Sequence, residues 1–201
     1  TVDSNTLVIP ISVSGNTDET LTILESANLL KCKIVAFAAG GQIQEYCIKN
    51  NIKFQQISQD HSPRGSFVRY LYSILKILQS TLKIKSSDVN ESIKILENMK
   101  KNISSQNLTN SNSAISLAKW ISGIPVIYYP WGLQSAAIRF KNSLNENGKI
   151  HIINEDIVKA THNDIVAWMK KSDVTPIIIS GPDDYYKTKK IWEKFKIFLK
   201  E

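Results

Sequence analysis

Ser12, Ser14, Gly15, Asn16 and Thr17 lie within one short run, Ser-Val-Ser-Gly-Asn-Thr-Asp-Glu-Thr, at positions 12–20. A β-branched stretch at 6–13 precedes it, and a helical stripe at Leu21, Leu24 and Ala27 follows. A turn between a strand and a helix presents free backbone N–H groups and the positive end of a helix dipole, which suit a phosphate. The hydroxyls of Ser12, Ser14 and Thr17 add donors, and Gly15 lets the backbone approach closely. The same residues also make an ordinary strand-to-helix turn, with Ser and Thr capping the helix and Asp18 and Glu19 favoured in its first turn. Spacing alone leaves both readings open. The run lacks GKT or GKS, so it does not suggest nucleoside triphosphate hydrolysis.

Three further residues could carry chemistry. Arg64 follows a proline-fixed turn ahead of a long helix; its permanent charge can stabilise an anionic intermediate or make a surface ion pair. Glu146 is expected in the last turn of a helix over 136–147 that ends at Asn147-Gly148, a C-cap signal. A carboxylate there faces the negative end of the dipole, a costly placement that suits either a general base or an exposed surface residue. His162, between Thr161 and Asn163, is expected at a strand-to-helix transition, where it can shuttle protons near neutrality or serve as a polar cap. His61 and His151 have no supporting motif, and Cys32 and Cys47 read as core. No His, Cys or carboxylate spacing marks a metal site. The aromatic residues Tyr128, Tyr129 and Trp131 follow a buried strand; they either line a site at the strand's carboxyl end or pack.

These residues need elements to hold them. Apolar runs at 6–13, 33–39, 52–57, 124–129, 150–153 and 174–179 read as strands. Helical periods separate them at 18–30, 42–50, 66–82, 88–101, 114–121, 136–147, 163–171 and 184–200. In 66–82, Phe67, Leu71, Ile74, Leu78 and Leu82 share one helical face. In 88–101, Val89, Ile93 and Leu96 do the same. The Asn- and Ser-rich stretch 102–113 reads as a loop or boundary. Strands alternating with helices predict an α/β fold with parallel sheets covered on both sides. The division expected is 1–110 for the first half with a linker helix and 111–201 for the second.

Composition narrows the partners. The 201 residues carry 25 Lys and Arg against 18 Asp and Glu, a net charge of +7. Most basic residues are Lys in helical stretches such as 94–101 and 187–200, the pattern of a solvated face and not of a nucleic-acid patch. No apolar run approaches the roughly 18 residues of a membrane span. No secretory signal is visible, although the chain starts at Thr1. Two cysteines make no disulfide framework, which points to a reducing cytoplasm.

The loop Ser-x-Ser-Gly-Asn-Thr-x-Glu-Thr resembles the phosphosugar loop of sugar isomerase (SIS) domains. Ser62-Pro63-Arg64-Gly65, the run Arg139-Phe140-Lys141-Asn142-Ser143-Leu144-Asn145-Glu146-Asn147, and Thr161-His162-Asn163 resemble one branch, the archaeal-type bifunctional phosphoglucose/phosphomannose isomerases. The resemblance implies two flavodoxin-like, three-layer αβα halves, the first shortened. It implies an aldose–ketose isomerase acting on glucose 6-phosphate, and also on mannose 6-phosphate, to give fructose 6-phosphate through a cis-enediol, with no cofactor and no metal. Ser12, Ser14, Gly15, Asn16 and Thr17 would hold the phosphate. Arg64 would stabilise the enediolate, Glu146 would move the proton and His162 would open the ring. It implies a homodimer, with His162 reaching the site of the other subunit, and partners that include neither nucleic acid nor membrane. At 201 residues the chain is about two-thirds of the length implied. The resemblance also implies a preceding GGS-type segment, a late Lys and a Thr tied to mannose, which have no counterpart in this sequence. The alternative is a non-catalytic sugar-phosphate-binding module, which would need the serine loop but not Glu146 or His162.

Overall fold

The computed structural model describes residues 2–199, and the chain divides into two compact units, 1–93 and 94–201. Every strand pairing in both units is parallel.

In the first unit, β1 (Leu7–Val8) and β2 (Ile11–Ser12) both lie along β3 (Lys33–Ala38), and β4 (Lys53–Gln56) lies on the other side of β3. Leu7 pairs with Lys33 and Ile11 with Phe37, so β1 and β2 keep one register. They are one expected strand interrupted at Pro10. Proline has no N–H to give to a ladder, but its carbonyl still accepts from Phe37 N at 2.9 Å.

Alternation along β3 sorts the layers. Ala36 and Ala38 pack with Leu24 of α1 (Asp18–Leu29) and with Ile43 and Cys47 of α2 (Gly41–Lys49). Phe37 packs with Ile57 and Tyr70, against Ile74 and Ile77 of α3 (Phe67–Ile77). Helices thus cover both faces of the sheet. Burial pushes the Cys47 thiol pKa up, which suits a core residue; Cys32 is partly exposed.

The expected helix 66–82 is broken. It begins as a 3₁₀ turn (Pro63–Ser66), because Pro63 pre-sets the first turn and Ser62 Oγ accepts from Gly65 N at 3.3 Å. It stops at Leu78, where φ is −93° and ψ is 7°, and a short α4 (Gln79–Leu82) follows. Its buried face is Tyr70 and Leu78; Phe67, Leu71 and Leu82 of the expected stripe are exposed. Helix α5 (Ser86–Ile103) runs through the division between units and has no buried residue among those described.

In the second unit, α6 (Ser113–Trp120) leads to a sheet ordered β6 (Ile153–Asp156), β5 (Ile124–Tyr129), β7 (Val174–Ile178). Ile127 and Ile177 face Ala137 of α7 (Gln134–Ser143). Val126 and Tyr128 face Ile157 and Ala160 of α8 (Ile157–Asn163), and Trp192 and Phe195 of α9 (Tyr186–Phe198). Both units are therefore three-layered αβα, as the alternation predicts.

Two elements differ from the sequence expectation. β6 lies three residues later than 150–153. Ile150 and Ile152 pack in the core, but pairing with β5 starts only at Ile153, opposite Val126. Helix α8 starts at Ile157 and not near 163, because the Asp156 carboxylate accepts from Val158 N at 2.9 Å and Lys159 N at 3.2 Å. A 3₁₀ stretch (Asp164–Met169) then replaces the expected helix 163–171. The expected last helix, 184–200, is α9; Lys200 lies outside the described residues.

Candidate functional site

The serine loop leaves the carboxyl end of β2 as a closed turn. Ser12 is buried, and its Oγ lies 2.8 Å from Thr17 Oγ1 while accepting from Gly15 N at 3.1 Å. Ser14 Oγ accepts from Asn16 N at 3.2 Å. Thr17 sits at the N-cap of α1 in an extended conformation, yet makes no side-chain cap hydrogen bond. The helix's own ladder starts with Leu21 N on Thr17 O. The ordinary capped turn is therefore not what forms: the threonine hydroxyl is turned to Ser12, and the first-turn N–H groups of α1 are left uncapped by that side chain. An uncapped helix start offers free backbone N–H donors of the kind an anion needs.

The loop is braced from behind by the Gly40-Gly41 segment that follows β3. Gly15 has φ of 75°, and a Cβ there would run into the Gly40 carbonyl. Gly15 O accepts from Ile43 N at 3.0 Å, and Asn16 Oδ1 accepts from Gln42 N at 3.0 Å. Asn16 thus holds the start of α2 with its side-chain oxygen. Gly41, with φ of 69°, would press a Cβ to 2.5 Å from Asn16 Oδ1, so the Gly40-Gly41 pair is the counterpart of Gly15. The signal in the sequence was the glycine pair at the carboxyl end of the neighbouring strand.

Arg64 is exposed on the 3₁₀ turn that follows β4, at the same carboxyl edge of the first sheet. The turn is fixed by the buried Ser66, which donates to Ser62 O at 2.9 Å and accepts from Asp60 N at 3.1 Å. Arg69 pairs with Asp60 at 2.9 Å. Tyr70 ties this edge together: its buried hydroxyl lies 3.1 Å from Ile57 O and 3.4 Å from Val13 O, next to the serine loop. Burial raises the Tyr70 pKa, so the phenol stays a donor.

Glu146 and His162 belong to the second unit. Helix α7 does not end in the expected α-helical turn; it runs into a π turn, Leu144–Gly148, which holds Glu146 exposed and ends at Lys149 with φ of 56°. Single π turns inside helices recur at functional sites. His162 is exposed in the last turn of α8. Both helices follow strands of one parallel sheet and run back from its carboxyl edge. They cover opposite faces, α7 over Ile127 and α8 over Val126 and Tyr128. Within one chain the sheet stands between Glu146 and His162, so the second unit does not bring them together. Of the aromatic trio, Tyr128 is core, Tyr129 is partly buried and Trp131 is 93% exposed. Among the described residues, no group of three or more His, Cys, Asp or Glu could hold a metal ion. No helix among them is long and apolar enough to cross a membrane.

Residues 110–201 match the family described as the bacterial phospho-glucose isomerase C-terminal SIS domain. The matched residues lie within the second unit. The chain is 32% identical over 163 residues to a bifunctional phosphoglucose/phosphomannose isomerase of Thermoplasma acidophilum, covering 81% of this chain and 49% of that protein. It is 29% identical over 183 residues to a D-glucosamine-6-phosphate 4-epimerase of Sulfolobus acidocaldarius, covering 89% and 56%. Among solved structures, glucosamine-6-phosphate deaminase of Thermotoga maritima superposes with a TM-score of 0.68 at 12% identity, covering 98% of this chain and 60% of that one. That likeness is one of fold. The chain spans about half the length of the curated relatives it matches.

Proposed function

We propose that this chain forms the sugar-phosphate site of an aldose–ketose isomerase that interconverts glucose 6-phosphate, and also mannose 6-phosphate, with fructose 6-phosphate. The observation that carries the reading is the serine loop: an α1 start left uncapped by Thr17, with Ser12, Ser14 and Thr17 around it and Gly15 locked against Gly40. The similarity to curated sugar-phosphate isomerases supports the reaction class.

The chemistry follows from the groups. The phosphate sits on the serine loop. His162 passes a proton to the ring oxygen as the anomeric hydroxyl gives one up, which opens the ring. The Glu146 carboxylate takes the proton from C2, and the electron pair moves to form a cis-enediolate whose negative oxygen faces the Arg64 guanidinium. The C2 hydroxyl proton passes to O1 as Glu146 returns its proton to C1, giving the ketose with its carbonyl at C2. No electron leaves the sugar, so no redox partner is needed. Because the sheet separates Glu146 from His162 in one chain, we place His162 in the site of a second subunit of a homodimer, in the cytoplasm. The functional halves divide near 110, where the family match begins.

A coupled assay with fructose 6-phosphate and mannose 6-phosphate tests the reading. Turnover of either sugar supports it. Binding without turnover of either would favour a non-catalytic sugar-phosphate module. The relative named as a 4-epimerase makes glucosamine 6-phosphate a necessary third substrate in that assay; its conversion to the C4 epimer, with neither isomerisation observed, would replace the proposal.

A further inference from the structure

The carboxyl edge of the second sheet holds a cavity that the reaction above does not use. The chain leaves β5 towards β6 on one side and later enters β7 on the other. The helices that follow β5 and β7, α7 and α9, cover opposite faces. The crevice between the carboxyl ends of β5 and β7 is therefore a topological switch point, where open α/β sheets bind ligands. A cavity of about 480 Å³ lies there, lined by the loops that leave these two strands, and its volume falls in the range of small-molecule sites.

Its walls are chemically mixed. Trp131 and Tyr185 line it and are 93% and 58% exposed, so two aromatic surfaces stand in water without a cover among the described residues. Thr188 also lines it and is only 8% exposed, yet its side chain makes no hydrogen bond among the described residues. Among the described residues, the fully enclosed side-chain atoms left without a partner belong to Asn154, outside this crevice, and do not include the Thr188 hydroxyl. The Thr188 hydroxyl therefore keeps its access through the cavity. Thr188 lies in the first turn of α9, whose N-cap residue, Tyr185, makes no side-chain cap hydrogen bond. Donors thus converge from the helix start and the threonine. Acceptors converge from Asp183 and from Asp184, which holds Trp192 Nε1 at 3.0 Å with one of its oxygens.

We propose that this crevice is a second ligand site of the chain, and that it takes a neutral polyhydroxylated molecule of about hexose size. Two carboxylates in the lining disfavour a simple anion despite the helix start. The donors and the buried hydroxyl disfavour a purely apolar guest. Sugar hydroxyls give to Asp183 and Asp184 and accept from Thr188 and the helix N–H groups, while the C–H face of the ring lies on Trp131.

The probe is methyl α-D-glucopyranoside, which has no phosphate for the serine loop and a blocked anomeric carbon that prevents turnover. Saturation-transfer NMR on the full chain should show saturable binding. Trp131→Ala and the near-isosteric Thr188→Val should each weaken it by about fivefold or more, and Ser14→Ala should leave it unchanged. No saturable signal in wild type overturns the proposal. So does a signal that survives both crevice substitutions or that falls with Ser14→Ala. Binding of inorganic phosphate, but not of the glucoside, in a Thr188-dependent way would overturn the ligand class. Isomerase activity is read separately, so loss of one site leaves the account of the other standing.

Discussion

A methyl group is enough to test the serine loop. Gly15 holds φ of 75° with its α-carbon facing the Gly40 carbonyl. Gly15→Ala adds left-handed strain and forces the two loops apart. We expect a loss of more than about 2 kcal/mol of stability in urea unfolding, together with loss of phosphate binding. Stability unchanged from wild type would show that the brace is not tight. Asn154 offers the opposite test. Its amide is enclosed beside Ile127, and neither its oxygen nor its nitrogen has a hydrogen-bond partner. Asn154→Leu is close in volume and removes both orphaned atoms. We expect it to stabilise the chain by about 1–2 kcal/mol in the same measurement; a destabilised variant would contradict the reading of the amide as unsatisfied. Neither effect was legible in the sequence. Gly15 was readable as a close approach, but its partner Gly40 is a tertiary neighbour. Asn154 fell outside the expected strand altogether.

At the scale of elements, the π turn is the feature that most directly shapes the proposed base. An α-helical path through Leu144–Gly148 would rotate Glu146 by part of a turn relative to α7. Deleting Asn145 should restore a plain helix end. The expectation is a melting temperature within a few degrees of wild type, because the deleted residue is exposed, with isomerase turnover reduced to background. Full turnover in the deletion variant would mean that the π turn does not position Glu146. The helix itself was readable from its apolar period, but an i→i+5 turn leaves that period almost unchanged and so has no signature. The strands read well where β-branched residues fill them, as in Ile124–Tyr129. β6 was misplaced because its paired residues, Asn154, Glu155 and Asp156, are polar, and Asp156 spends its carboxylate on capping α8. The start of α8 and the place of His162 on it moved for the same reason. In the first unit, Pro10 split a strand whose side-chain pattern was otherwise uninterrupted.

For the whole molecule, the sheet between Glu146 and His162 makes a demand on assembly. If each site takes Glu146 from one subunit and His162 from the other, mixing Glu146→Gln with His162→Ala chains creates heterodimers with one intact site of two. Random pairing should restore activity to about a quarter of the wild-type level from two inactive parents. No recovery after verified subunit exchange would place both residues in the same subunit's site or remove one from catalysis. The motif residues made this arrangement legible as an expectation; periodicity alone gave the layers, and the separation of the two residues came only from knowing which face each helix covers. The opening residues also changed in standing. Ser12 and Thr17 pair with each other, Asn16 holds the start of α2 with its side chain, and Ser14 remains exposed on the loop. The central claim is that Glu146 moves a proton between the first two carbons of a sugar phosphate. Proton NMR of fructose 6-phosphate turnover in D₂O reads that step directly. The account predicts deuterium at C2 of the glucose 6-phosphate formed, and a rate lower by about a thousandfold or more in Glu146→Gln, since a general base is removed. Product formed at the wild-type rate by Glu146→Gln, or product carrying no solvent deuterium in wild type, would contradict it.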